Sequence, residues 1–205
     1  MNAEELLYVH MRLECIQVIP PHFLSRINCP NPDDIHRFYV VKMHPTSHIK
    51  AFYRWDLESK IQAQLQTIEL QSIFLDDQDV RAILDQPESS REVFKGKSYI
   101  FPQINADEHS DVRASQGGCE IVIDDTVASR CESSRENEEA AEAWVYTHPQ
   151  YRRRGFARQV TLAWAYHLQQ QRKIPFYSHR IENTASERVA RSLSLIQYID
   201  DIGFL

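Results

Sequence analysis

Ala143-Trp-Val-Tyr-Thr-His-Pro-Gln-Tyr-Arg-Arg-Arg-Gly-Phe-Ala157 is the stretch on which the fold turns. Ala140 to Thr147 reads as a strand that Pro149 stops. Three consecutive arginines and one glycine follow. Residues 155–172 then read as one helix, with Val160, Leu162, Ala163, Ala165, Tyr166 and Leu168 supplying apolar surface. Strand, short basic loop and helix read either as a phosphate-binding arrangement or as a solvated basic turn that precedes a helix. The first N–H groups of a helix lack intrahelical partners and carry partial positive charge. Gly155 lets the backbone approach an oxygen, and Ala157 is too small to obstruct it. Arg152, Arg153 and Arg154 add charge-assisted donors. A pyrophosphate suits this loop.

Working outward, the elements change character along the chain. Downstream, Phe176-Tyr-Ser-His179 reads as a short strand after Pro175. Thr184-x-x-Glu187 reads as a capping box for a helix to about Leu193. Leu195-Ile-Gln-Tyr-Ile199 is a candidate last strand. Upstream, Cys119–Ile123 and Thr126–Cys131 read as a hairpin turning at Asp124-Asp125, followed by a charged turn at 132–139. Lys97–Phe101 is a short strand, and 103–118 reads as an exposed polar loop. Strands run together first and then alternate with helices. The expected fold class is α+β, with a mixed, mostly antiparallel sheet flanked by helices.

Residues 1–89 read differently, as an irregular, partly helical region. Five of the nine prolines, Pro20, Pro21, Pro30, Pro32 and Pro45, break it into short pieces. Arg37–Met43 looks like a strand, and Leu57–Leu75 like a helix with Ile61, Leu65 and Ile68 on one face. Asp76-Asp77 precedes a second helix at Val80–Leu84. The division expected is 1–89, packed on the core and shaping a substrate pocket, and 90–205 as the phosphate-binding domain.

Composition removes several function classes. The chain has 205 residues, 25 % charged and 42 % hydrophobic, which are globular proportions. Its formal net charge of −6 argues against a nucleic-acid binder, which needs a basic face. No apolar run approaches the roughly 20 residues of a membrane-spanning helix. Met1–His10 carries Glu4 and Glu5 and no basic segment, so no signal peptide is expected. Cys15, Cys29, Cys119 and Cys131 form no C-x-x-C pair, which fits reduced thiols and a cytoplasmic location. The five glycines, none before Gly96, leave no Rossmann fingerprint, no Walker loop and no G-x-S-x-G elbow. His44-Pro-Thr-Ser-His48 has metal-like spacing, but its proline and the lack of neighbouring ligands argue against a metal site.

Arg152-x-x-Gly155-x-Ala157 resembles the [QR]-x-x-G-x-[GA] signature of GCN5-related N-acetyltransferases. The preceding strand, the long helix, Pro175–His179 and Asn183 followed by a helix stand in the family's order. Asn183-x-x-Ser186-x-x-x-Ala190-x-x-Leu193 resembles a subgroup with Asn-x-x-Ser at that helix. The resemblance covers roughly residues 97–200. It implies acetyl-CoA as co-substrate, no metal, and transfer of the acetyl group to an amine of a small molecule or peptide. It places the pyrophosphate on the backbone of residues 153–158, which includes Phe156 and Arg158. The pantetheine arm would lie beside Val145, Tyr146 and Thr147, and Asn183 would help order the cleft.

The departures from the family are specific. The tyrosine that many members carry seven residues after the asparagine is here Ala190. Ser186, Tyr177, His179 and Tyr198 are the alternatives as proton donor to the leaving thiolate. Glu142 and His179 are the candidate bases, since an amine must lose a proton to attack. The acidic residues Glu132, Glu136, Glu138, Glu139 and Glu142 either steer a cationic amine or form a solvated hairpin tip. Leu205 leaves little room for the family's final strand. The N-terminal region or a second subunit is expected to complete the sheet, so a homodimer is one reading. Ala190 also admits a non-catalytic acyl-CoA-binding or interaction protein on the same scaffold.

Overall fold

The computed structural model describes residues 1–26, 35–85, 93–105, 112–115 and 117–205. Two compact units divide the chain. One comprises Met1–Lys97 with Tyr198–Leu205, the other Ser98–Gln197.

The first unit begins with helix α1, Ala3–Leu13. Asn2 caps it: its side chain accepts from the Glu5 backbone, and the Glu5 side chain accepts from the Asn2 N–H. Four strands follow: β1 (Ile16–Ile19), β2 (Phe23–Arg26), β3 (Phe38–Met43) and β4 (Ile49–Arg54). Three short helices come next: α2 (Ser59–Leu65), α3 (Leu70–Ile73) and α4 (Gln78–Leu84). β5 (Val93–Ile100) starts in this unit, and the last strand, β11 (Ile196–Phe204), ends in it. The sheet order is β1-β2-β4-β3-β11-β5. β11 runs antiparallel to β3, from Ile199 opposite Met43 to Phe204 opposite Phe38. Phe38, Val40, Leu65, Ile73, Val80, Ile202 and Phe204 form a buried core between the sheet and α2–α4.

Several expectations for this region are corrected. Residues 1–89 are not irregular, because four strands lie among them. Ile49-Lys-Ala-Phe-Tyr-Arg54 carries aromatic strand formers and is β4. The helix expected over 57–75 is two helices, interrupted at Gln66–Glu69. At α4 the capping carboxylate is Asp76, which accepts from the Gln78 backbone at 3.0 Å, while Asp77 holds Arg81 and Lys95. The final strand does have room. It reaches Phe204 because the first unit's own β3 pairs with it. Cys29, Pro30 and Pro32 lie outside the described residues.

The second unit contains the end of β5, β6 (Arg113–Ser115), β7 (Gly118–Ile123), β8 (Thr126–Glu136), β9 (Ala140–Thr147), helix α5 (Phe156–Gln170), β10 (Ile174–Arg180) and helix α6 (Thr184–Ser192). Its sheet order is β5-β10-β9-β8-β7-β6. β6 to β9 are antiparallel neighbours, and β9 and β10 are parallel. The sheet is therefore mixed and mostly antiparallel, with helices against it. α5 packs Val160, Ala163, Trp164 and Leu168 onto Cys119, Cys131, Ala141 and Tyr177.

Here too the structure adjusts the reading. Glu132–Glu136 belongs to β8, so the charged turn is only 137–139, where Asn137 accepts from the Glu139 and Ala140 N–H groups. The expected loop at 103–118 contains buried Ile104 and strand β6; residues 106–111 and 116 lie outside the described set. Pro175 sits inside β10, opposite Ala141. Near the strand's start a missing N–H costs little ladder. α6 is capped by Asn183, not Thr184: Asn183 Oδ1 accepts from the Ser186 N–H at 3.0 Å. Cys119 and Cys131 are buried neighbours across β7 and β8. Burial pushes the Cys119 thiol up to about 11, so neither acts as a reactive thiolate, while Cys15 is exposed.

Phe176 is fully buried on the last paired rung of β10. Phe176→Ala is expected to cost about 3–5 kcal/mol, read from the urea midpoint. Asn183→Ala is expected to cost about 1 kcal/mol through the lost cap, and Asn183→Ser to recover most of it. An unchanged midpoint in the alanine variant would remove the cap from the account.

Candidate active site

β9 and β10 separate early. Their parallel register covers three rungs, Ile174 opposite Ala140, Pro175 opposite Ala141 and Phe176 opposite Glu142. Both strands continue, β9 to Thr147 and β10 to Arg180. Past Glu142, β9 keeps its ladder to β8 and has none to β10. A bulge in β8 falls at the same level: Ser134 is extra between Ser133, opposite Ala143, and Arg135, opposite Glu142. The Ser134 hydroxyl donates to the Glu142 carbonyl at 3.1 Å. Bulges bend and twist a ribbon locally, so β9 is turned at the rung where β10 is lost. Ala143 to Thr147 therefore present one edge of main-chain groups to an opening within the second unit.

Alternation sorts the side chains of β9. Ala141, Ala143 and Val145 pack toward the α5 cluster. Glu142, Trp144 and Tyr146 occupy the other face by the period of two. Trp144 and Tyr146 lie with parallel rings, centroids 6.2 Å apart, and the Arg130 guanidinium sits over Trp144. Phe156, the first residue of α5, packs against the apolar cluster. Neither large ring thus lies on the α5 side of the opening as a free obstacle.

After Thr147 the chain makes a short 3-10 turn at Pro149–Tyr151 and reaches the basic loop. Arg153 and Gly155 both have left-handed φ, +60° and +82°. Such alternation of backbone hand points successive N–H groups toward one side. A Cβ on Gly155 would meet no atom within 4 Å, so glycine is required there by its φ and not by crowding. Among the described residues, no side chain caps the N-terminus of α5. Its leading N–H groups are open to a ligand. Arg152 Nε donates to the Thr147 carbonyl at 3.2 Å, and the Arg154 guanidinium lies 5.3 Å from the Tyr151 ring centroid. Arg152, Arg153 and Arg154 are all exposed. Arg158 is turned elsewhere: its Nε donates to the Ser192 carbonyl at 3.1 Å and ties α5 to α6.

The three catalytic candidates have distinct surroundings. Glu142 is 5 % exposed at the point where the strands part. Arg135 Nη1 donates to its Oε2 at 2.8 Å, and the Ser178 hydroxyl donates to its Oε1. His179 is buried on β10. Its Nδ1 lies 2.9 Å from the Arg180 carbonyl, which requires a proton on Nδ1. Its Nε2 then accepts from the Tyr99 hydroxyl at 3.3 Å, and the two rings stack. Ser186 is half-buried in the first turn of α6. Its N–H is taken by Asn183, and its carbonyl accepts from the Tyr177 hydroxyl at 3.4 Å. Burial pushes the Tyr177 phenol up to about 12, so Tyr177 carries its proton at neutral pH.

Ala190, where the resembled family often has tyrosine, is 1 % exposed inside the α5 cluster. The acidic residues 132–142 do not act as one run: Glu132 pairs with Arg130, Glu136 with Lys173 and Glu142 with Arg135. His44 is held by Asp200 at 2.7 Å, and no cluster of metal-binding side chains occurs among the described residues. No helix among them is long and apolar enough to cross a membrane. The residues that sequence reasoning missed are Arg135, Ser178 and Tyr99. Arg135 and Ser178 engage Glu142 only across a bulge and a parallel rung, and neither relation has a local sequence signal.

Among solved structures, a GNAT-family protein from Novosphingobium aromaticivorans is 16 % identical, with 58 % of this chain and 72 % of that chain covered and a TM-score of 0.46. An acetyltransferase of the GNAT family from Colwellia psychrerythraea is 10 % identical, with 93 % and 80 % covered and a TM-score of 0.48. A GCN5-related N-acetyltransferase-like protein from Streptococcus suis is 11 % identical, with 63 % and 67 % covered and a TM-score of 0.44. A search of curated proteins finds no match. The model of the GNAT acetyltransferase family matches residues 33–198, most of the chain, and the protein belongs to that family.

Proposed function

We propose that the second unit binds acetyl-CoA at the opening between β9 and β10 and transfers its acetyl group to an amine of a small molecule or peptide. The observation that carries this reading is the coincidence of two features. One is a three-rung pairing that leaves the β9 edge open from Ala143 to Thr147. The other is an uncapped helix N-terminus entered through Gly155, reached directly from that edge. An extended chain with amide groups can bond to the open edge as a strand would. A pyrophosphate at its end fits the N–H groups of residues 153–158 and the exposed guanidinium groups of Arg152, Arg153 and Arg154. Asn183 supports the cleft through its cap on α6, which leaves its side-chain amide N–H₂ to act as donor.

Transfer forms a C–N bond between the acceptor amine and the acetyl carbonyl carbon and breaks the C–S bond. The amine loses one proton and the sulfur leaves as thiolate, which takes one up. Alignment of the two reactants supplies much of the rate. Glu142 is the assigned proton acceptor. Arg135 and Ser178 each hold one of its carboxylate oxygens and fix its orientation. His179 has both ring nitrogens engaged and is assigned to positioning β10 against Tyr99. Ser186 stays the candidate for the sulfur side. Ala190 favours one other reading, acyl-CoA binding without turnover, because it removes a hydroxyl from α6.

Calorimetric titration with acetyl-CoA tests the site. Micromolar binding is expected, abolished in Gly155→Glu, which places a carboxylate where the phosphate sits. Binding that survives in a folded Gly155→Glu variant would contradict the assignment. Glu142→Gln is expected to lower kcat with an amine acceptor by about 100-fold or more while acetyl-CoA affinity stays within about twofold. Binding without acetylation of any amine by the wild type would favour the non-catalytic reading.

A further inference from the structure

The first unit buries a group of ionisable side chains that the acetyl-transfer reading does not use. Asp201 on β11 is 6 % exposed. The Tyr39 hydroxyl on β3 donates to its Oδ2 at 3.0 Å. Its Oδ1 is buried with no hydrogen-bond partner among the described residues. The backbone of Gly96 on β5 closes that side, since a Cβ there would come within 2.7 Å of Oδ1. From α1, His10 lies buried with Nδ1 2.5 Å from the Tyr198 hydroxyl, and Glu14 contributes a like charge. From β11 itself, Asp200 adds a second like charge, although its carboxylate is directed to His44. His36 stacks on Tyr39, with ring centroids 5.3 Å apart. Among the described residues a carboxylate in such a place has one hydrogen-bond donor, Tyr39, and two neighbouring acids whose charge His10 opposes. A neutral carboxyl group can stay there, whereas an ionised one carries a large desolvation cost.

We propose that Asp201, with Tyr39, His10 and Tyr198, is a proton-operated latch that closes α1 onto the β3–β11 face of the first unit. With the Asp201 carboxyl protonated, the cluster is neutral and α1 is packed down. When Asp201 ionises, the buried charge must gain a partner. Water entering beneath α1 supplies one, and it loosens the helix. Burial moves Asp201 up to about 7, so the transition falls near neutral pH. The folded carboxyl binds its proton more tightly than the unfolded one. Its contribution to stability is therefore complete below about pH 4 and is lost as pH rises to about 7, the folding constant falling about tenfold per unit in that window. Glu4 and Asp77 are held low by their cationic partners and act in the opposite sense, so only the difference between wild type and an Asp201 variant isolates the latch.

The test joins two measurements on the full chain. The carboxyl carbon resonance of Asp201, identified by its loss in Asp201→Asn, is followed from pH 4 to 9. Amide exchange of α1 is compared between wild type and Asp201→Asn at each pH. The expected results are a midpoint near 7, a higher midpoint in Tyr39→Phe, and α1 exchange in wild type that exceeds the variant's only above that midpoint. A carboxyl that titrates with ordinary aspartates, or α1 exchange that follows the same pH course in both proteins, overturns the proposal. If Asp201→Asn does not fold, the resonance is assigned in the wild type through its correlations to the Asp201 backbone, and its midpoint, together with a matching shift of the α1 exchange profile in Tyr39→Phe, decides.

Discussion

A parallel strand pair that stops after three rungs governs the second unit. Every buried main-chain group needs a partner, so two adjacent strands normally stay zipped along their common length. Here β9 and β10 give up that pairing at Glu142 and Phe176. Three other features fix the point at which the strands part. The Ser134 bulge bends β9 from the β8 side. The Glu142 carboxylate, tied to Arg135 and Ser178, fixes the last rung. Tyr99 and His179 stack on the far strand and hold its course. The main-chain groups of β9 past Glu142 are left without a β10 partner.

The loop after β9 extends that surface with charge. The chain turns through Pro149–Tyr151, changes hand at Arg153 and Gly155, and enters a helix whose first N–H groups no side chain caps. The proposed ligand, amide-rich in the middle and phosphorylated at one end, matches an amide edge followed by a helix N-terminus. The length of α5 matters for the same reason. Val160, Ala163, Trp164 and Leu168 anchor it to the sheet, so its N-terminus stays fixed without a cap. Arg158 bonds to Ser192 and fixes the neighbouring helix as well.

What could be read in the sequence divides along the same line. Arg152-x-x-Gly155-x-Ala157, the strand before it and the helix after it are local features, and residue spacing states them. Glu142 was legible as a residue on that strand. Its partners were not, because the bulge brings Arg135 to it and the parallel rung brings Ser178. The first unit was the least legible. β1 and β2 are four residues each, too short for periodicity to register. β11 was legible only as far as Ile199, since the two adjacent acids Asp200 and Asp201 look like a solvated end until one is seen turned to His44 and the other buried under Tyr39. Glu132–Glu136 read as a turn for a similar reason. Charged side chains on an open sheet face do not mark the end of a strand.

The central claim is that one ligand covers both the open β9 edge and the α5 N-terminus. Amide hydrogen exchange with and without saturating acetyl-CoA tests it most directly. The account predicts slowed exchange concentrated in residues 143–147 and 153–158, with the β8 side of the same ribbon unchanged. Protection of only one of the two segments, or protection centred elsewhere while these stay fast, would contradict it.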